Sequence, residues 1–281
     1  MIYDCFQFNG EYDLLEIRLN HHAAFVDKFI LTEATYTYSG KPKRLYYDEV
    51  KDKEPFVDFK HRIIHRVYDV SPKKDCLPNG RGICSYEHDQ RNYLKKYNFK
   101  SDDLIIYCDC DEIIRSGSVI EIAKQYESIV SLDMDLNWYY FNCIMAPDSE
   151  FQDDYSMESC FNRRWRMGKI VRPGHLNVFA NLYELRQLYL WDRRGEILIK
   201  NAGWHFSNLG SGKSIKRKLD SFSHSDELNN KYYITPEAIE NRKKRLQDPL
   251  GRDVRFIATE LDLPPYIINN MHKYEGYILN A

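Results

Sequence analysis

Residues 104–112, Leu-Ile-Ile-Tyr-Cys-Asp-Cys-Asp-Glu, constrain this chain more than any other stretch, because a short apolar run passes directly into acids. An uninterrupted apolar run of this length, bounded by polar residues, reads as a strand buried on both faces. Acids placed straight after it are carried to the rim of the sheet, at the carboxyl ends of the strands, where open α/β sheets collect their ligand sites. Asp109 and Asp111 repel one another at close range and raise each other's pKa unless a cation lies between them. Carboxylate oxygens suit Mg2+ or Mn2+, which commonly take one or two carboxylates and complete their shell with substrate phosphates. The chemistry expected of such a site is departure of a nucleotide diphosphate, with the ion neutralising charge on the leaving oxygens. Paired acids also occur in ordinary surface turns, and it is the placement behind the apolar strand that favours the metal reading.

Strand and helix signals alternate around this segment. Residues 2–8 read as a strand closed by Asn9-Gly10, and Leu14, Leu15, Ile17, Arg18 and Leu19 follow with helical spacing. A second strand is predicted over 25–32, with a polar loop at 33–43 on its carboxyl side, and a third over 62–68. A Pro- and Gly-containing loop at 71–82 precedes a helix over 86–97 capped by Ser85. Such alternation implies an α/β fold with a mostly parallel sheet. The second half is less regular: strand-like runs at 138–144, 182–190 and 196–200, a Lys/Arg-bearing helix at 214–222, and a tail after Asp248 expected to wrap the surface. One domain is expected, with a nucleotide-binding half at 1–115, an acceptor and metal-completing half at 116–248 and a wrap at 249–281.

Composition removes several function classes. The 281 residues are 43% hydrophobic and 29% charged, the profile of a folded globule. A formal charge of −2 gives no basic field for nucleic acid or an anionic membrane. No apolar stretch approaches the roughly 20 residues that span a bilayer, and Met1-Ile2-Tyr3-Asp4 lacks the basic flank of a signal peptide, so a cytoplasmic location is expected. Seven cysteines, an odd number without even spacing, agree with a reducing compartment. Cys108 and Cys110 are expected as buried thiols rather than a zinc or redox pair.

Farther along, Asn201-Ala202-Gly203-Trp204-His205-Phe206-Ser207 sets a His beside small and aromatic residues just after a strand-like run. Gly203 permits close backbone approach, and His205 is either a packed core side chain or a third protein ligand to the metal. In Ser221-Phe222-Ser223-His224-Ser225-Asp226-Glu227 the serines suit helix capping, and Asp226 is the first candidate for a base, ahead of Glu158 and Asp154. Lys213, Lys216, Arg217 and Lys218 form a solvated helix face from which one residue can reach a diphosphate. Trp138, Tyr139, Tyr140 and Trp165 are either sugar-stacking platforms or core.

With these residues in view the chain resembles glycosyltransferase family seventeen. The resemblance is carried by Tyr3-Asp4-Cys5-Phe6, EYDLLEIRL from Glu11, VDKFILTE from Val26 and Gly40-Lys41-Pro42-Lys43. Glu87 with Gln90-Arg91-Asn92, DLIIYCDCDEIIR from Asp103, AGWHFS from Ala202 and Lys218 with Ser223-His224 extend it over most of residues 1 to about 227. It implies a GT-A type fold, that is, a Rossmann-like, mostly parallel sheet flanked by helices and bearing a D-x-D. It also implies inverting transfer from UDP-N-acetylglucosamine to a glycan acceptor. By that analogy Asp109 and Asp111 hold the ion and the diphosphate, while Glu33, Arg91 and Asn92 lie near the nucleotide; His205 is the candidate third ligand, and Phe6, Asn9, Glu87, Asp109 and Lys218 are further candidates at the nucleotide. Family members usually carry Pro where this chain has Ile114, so a looser turn is expected there. The rival functions are a nucleotidyltransferase, which would need a phosphate loop near the first strand, a metal-dependent phosphohydrolase, which would need more His near Asp109, and a non-catalytic sugar-binding module. Oligomeric state is not legible in the sequence.

Overall fold

The computed structural model describes residues 1–71, 85–149, 163–191, 197–222 and 225–280. From the amino terminus, β1 (Ile2–Gln7) leads through α1 (Tyr12–His22) into β2 (Lys28–Ala34), and β3 (Ile63–Tyr68) follows. Helix α2 (Ser85–Asn92) returns the chain to β4 (Leu104–Tyr107), and β5 (Glu112–Ile114) comes directly after the acid turn. Next are α3 (Gly117–Ala123), β6 (Val130–Trp138), β7 (Cys143–Met145), β8 (Arg164–Trp165), β9 (Lys169–Val171) and α4 (Leu182–Trp191). Strand β10 (Ile197–Ser207) precedes α5 (Gly212–Ser221), α6 (Ser225–Lys231) and α7 (Pro236–Lys244); β11 (Phe256–Ala258), α8 (Pro265–Asn269) and α9 (Met271–Tyr274) end the chain.

Among the described residues the main sheet runs β3-β2-β1-β4-β9-β6-β10-β5, with β8 against β6, and β7 pairs with β11 apart from it. The pairs β3–β2, β2–β1, β1–β4 and β6–β10 are parallel, while β9 lies antiparallel between β4 and β6 and β5 is antiparallel to β10. This is a Rossmann-like α/β arrangement, with a block of parallel strands continued by a mixed half. Its centre is dry because β1 and β4 present apolar residues on both faces. Helix α1 covers one face with Leu15, Ile17 and Leu19, each sealed from solvent and each contributing about 2 kcal/mol by burial. No described helix is long and apolar enough to cross a membrane.

The second half departs from expectation. Residues 182–190 belong to helix α4, because Leu182 and Leu185 stand at helical spacing on one buried side and Glu184, Arg186 and Gln187 around them are good helix formers. The run at 138–144 is two elements, the end of β6 and the start of β7. The AGWHFS segment lies inside β10 rather than after a strand, past a register shift between Ile199 and Gly203. A β-carbon on Gly203 would collide with the Ile113 carbonyl of β5. The tail does not simply wrap: Val254, Phe256, Leu263, Ile267 and Tyr274 are buried in the core.

Candidate active site

The acid turn stands where β4 ends. The Glu112 amide donates to the Asp109 carbonyl (3.0 Å), closing the turn, and the Phe206 amide donates to the Asp111 carbonyl (2.9 Å), tying it to β10. Cys108 and Cys110 are buried free thiols in the core beneath. Ile114 is likewise fully buried as the last residue of β5, so apolar packing takes the place of a proline there.

Asp109 is gripped by two guanidiniums. Arg91 of α2 donates Nη1 to Oδ1 at 2.9 Å, and Arg186 of α4 donates Nη2 to Oδ2 at 2.9 Å. Burial works against ionisation of Asp109, but Arg186 and then Arg91 outweigh it and hold the carboxyl down at about 2. Arg186 also reaches the fully buried Glu112, with Nη2 on Oε1 at 2.5 Å, and the indole Nε1 of Trp165 donates to that same oxygen at 2.7 Å. The Asp109 amide donates to Glu112 Oε2 at 3.1 Å, so Glu112 supports the turn from below.

Asp111 has different company. Lys218 of α5 donates Nζ to Oδ2 at 2.7 Å, and His205 Nε2 lies 3.4 Å from the same oxygen. Burial again opposes ionisation, and the Lys218 ammonium with the His205 ring holds this carboxyl far below the usual carboxylate range. The His205 ring packs on Trp165 with centroids 4.2 Å apart, and its buried Nδ1 has no hydrogen-bond partner. Lys218 is placed by loops: Asn9 Nδ2 donates to Ser221 Oγ (3.0 Å), and Ser39 Oγ donates to the Asp220 carbonyl (2.9 Å), anchoring the end of α5 to the loops after β1 and β2.

The structure therefore brings two of the three expected metal ligands together and sets the third apart. Asp111 and His205 offer a carboxylate oxygen and an imidazole nitrogen, donors that Mn2+ or Mg2+ accepts. Asp109 points instead at Arg91 and Arg186, because guanidiniums disperse the repulsion between the acids that a shared ion was expected to relieve. Among the described residues no group of three His, Cys, Asp or Glu side chains is disposed to hold a metal.

Other expected nucleotide residues are occupied internally. Phe6 is buried beneath the Arg18 guanidinium, 4.6 Å from the ring centroid, and so presents no face to a ligand. The buried Glu33 accepts from the backbone amides of Tyr46 and Tyr47 and from Lys43 Nζ (3.2 Å), which makes it the anchor of the loop after β2. Asn92 Oδ1 accepts from the Leu182 amide (2.9 Å) at the start of α4, and Glu87 pairs with Arg91 across one turn of α2 (3.0 Å). Asn9, Arg91 and Lys218 remain around the turn. Asp226 is exposed in the first turn of α6; Glu158, Asp154, Ser223 and His224 lie outside the described residues. Lys213 is exposed, Lys216 pairs with Asp220 and Arg217 donates to the Gly10 carbonyl at 3.3 Å, so Lys218 is the member of that helix face that meets the acids. Of the four aromatics, Trp138 and Tyr139 are core, Tyr140 packs against Lys243, and Trp165 reaches the site.

Arg186, Glu112 and Arg18 are site-forming residues that sequence reasoning did not single out. The signal for Arg186 was the three-residue leucine spacing around it, which places an arginine on the buried side of a helix.

The chain is similar to several known proteins. The chain is 26% identical over 246 residues to the beta-1,4-mannosyl-glycoprotein 4-beta-N-acetylglucosaminyltransferase of Mus musculus, covering 80% of this chain and 43% of that protein. It is 28% identical over 122 residues to the Homo sapiens protein of the same name, covering 40% and 21%. The chain thus spans less than half the length of these relatives. Among solved structures, the galactosyltransferase LgtC with donor and acceptor sugar analogs matches at 12% identity over 99% of this chain and 97% of that one, with a TM-score of 0.38, too distant to carry residue roles across. The model of glycosyltransferase family 17 matches residues 1–163, more than half of the 281, and the chain belongs to that family.

Proposed function

We propose that this chain is a metal-dependent, inverting glycosyltransferase that moves N-acetylglucosamine from UDP-N-acetylglucosamine onto a glycan hydroxyl. The observation that carries the reading is the acid turn at the carboxyl end of β4, where Asp111 and His205 converge on one point with Lys218 beside them. The transferred sugar is taken from the names of the relatives, and the UDP donor from the family resemblance carried by the sequence motifs. Asp111 and His205 are the residues that would hold the divalent ion, which when bound would neutralise the departing diphosphate. Lys218, whose ammonium stands on a four-carbon stem beside Asp111, is the residue suited to meet a diphosphate oxygen. Arg91 and Arg186 keep Asp109 ionised and fixed, so the turn does not collapse when its charge is redistributed. The proton of the attacking hydroxyl is assigned to Asp226 first, since α6 follows directly on the helix that carries Lys218, with Glu158 and Asp154 after it.

The test is release of UDP from a panel of UDP-sugars with and without Mn2+, run beside thermal stabilisation by the same ligands. UDP-N-acetylglucosamine should be turned over only with the metal and should raise Tm most. Equal stabilisation by every nucleotide sugar, or turnover in chelator, overturns the donor or the metal assignment respectively.

A further inference from the structure

Helix α1 carries charge where its apolar stripe should continue. Leu14, Leu15, Arg18, Leu19 and His22 share the side that packs on the sheet, and Arg18 and His22 are 0% exposed, like Leu15 and Leu19. Arg18 forks onto Asp4 of β1, with Nε on Oδ2 at 2.8 Å and Nη2 on Oδ1 at 2.5 Å. Its remaining nitrogen, Nη1, reaches past Asp4 into the acid turn and donates to the carbonyls of Asp109 (2.8 Å) and Glu112 (2.7 Å), with that of Cys110 at 3.4 Å. His22 completes the arrangement: Nδ1 lies 2.7 Å from Asp4 Oδ2, and Nε2 accepts the Ile114 amide at 2.9 Å. A ring nitrogen that accepts from an amide carries no proton, so the imidazole is neutral and donates through Nδ1 to Asp4. Three side chains buried on β1 and α1 thus hold carbonyls at both ends of the acid turn and the amide just beyond it.

An ion pair sealed in a core is a poor source of stability, since desolvation offsets the attraction and apolar residues of similar volume often serve as well. Placement of the acids is a stricter demand, because a shift of about 1 Å at a reacting site can lower turnover by about 100-fold. We propose that Asp4, Arg18 and His22 form a positioning device for the acid turn, with Arg18 as its central positioning residue. It aims Asp109 and Asp111 by fixing the peptide carbonyls on either side of them. Only the kinetic arm of its test rests on the glycosyl-transfer reading.

The test compares Arg18→Lys and the apolar double variant Asp4→Leu/Arg18→Met with Ile17→Ala, which damages the same helix but removes no hydrogen bond to the turn. Lysine keeps a charge beside Asp4 but lacks the fork that spans Asp4 and the carbonyls. Hydrogen exchange of peptides covering 109–114 should quicken about tenfold in Arg18→Lys while β6 is unchanged. At temperatures where all variants are folded, kcat/KM for the donor should fall about 100-fold in both Arg18 variants and stay within about threefold in Ile17→Ala. A folded double variant with wild-type kcat/KM overturns the proposal, as does exchange in Arg18→Lys that is unchanged or quickened equally throughout β1, β4 and α1. If the double variant does not fold, Arg18→Lys decides alone. If the wild type turns over no UDP-sugar, the exchange arm still decides, and it is the proposed function that falls.

Discussion

Asp109 and Asp111 stand one residue apart beyond β4, yet the first is clasped by guanidiniums from α2 and α4, whereas the second is met by a lysine tip from α5 and an imidazole from β10. A carboxylate shared by two arginines, one of them also bound to the buried Glu112, cannot exchange partners without leaving other charges uncompensated. An ammonium on a four-carbon stem can leave at small cost. The difference separates a fixed acid that holds the turn from an exchangeable acid that meets the ligand, and it accounts for a D-x-D whose two members do not point at a common centre.

The largest expected effect is on Asp111. Asp111→Asn should lower Mn2+-dependent release of UDP by about 1,000-fold with little change in Tm, because the amide fits the same space beside Lys218 and His205. Asp109→Asn should instead show its first effect as lost stability. Equal losses of activity at unchanged Tm in the two variants would erase the contrast.

Arg186→Met leaves Asp109 and Glu112 without their shared guanidinium and should cost about 3 to 5 kcal/mol in a denaturant titration. Lys218→Met should cost less, about 2 kcal/mol, because its side chain is 24% exposed and the 8% exposed Asp111 that it leaves keeps His205 beside it. Similar costs for the two would show that Asp111 is held as firmly as Asp109.

Acid should weaken the fold in two windows. Burial, opposed only in part by Asp4, lowers His22 to about 4, so between about 6.5 and about 4 the unfolded chain binds a proton that the folded chain refuses. Stability should fall across that window by the order of 3 kcal/mol. Asp4, buried but held down by Arg18 and His22, and Asp109 both lie at about 2, so their contributions are full above about pH 4 and are lost as pH falls to about 2. Unfolding midpoints in urea that stay flat from pH 7 to 4 would contradict the neutral, acceptor state of His22.

The smallest effect is expected for Trp165→Phe, which keeps a ring on His205 but removes the donor to Glu112. It should cost about 1.5 kcal/mol, read from the same titration. A neutral change would mean that Arg186 alone satisfies Glu112.

The legible part of this molecule was the part built from local pattern. Leu104–Tyr107 was read as a buried strand and is β4, and the acids after it stand on the rim, because an apolar run followed by charge has few places to go in an α/β sheet. The helix of α4 was misread because its leucines and tyrosines suit a strand by composition, and only their spacing, set against a packing surface, selects the helix. Glu33, Phe6 and Asn92 were expected at the ligand and are turned inward, since the partners that occupy them come from outside their own elements.

The sequence by itself determined that there would be an α/β sheet opening on parallel strands, that its fourth strand would end in paired acids, and that the chain would share the motifs of its family. Tertiary structure alone decided which cation meets which acid: Arg91, Arg186, His205 and Lys218 reach the turn from four separate elements, Arg18 from a fifth. Secondary structure follows from neighbours along the chain, whereas the charge balance of a buried site depends on groups up to about a hundred residues apart that only folding brings within reach of one another.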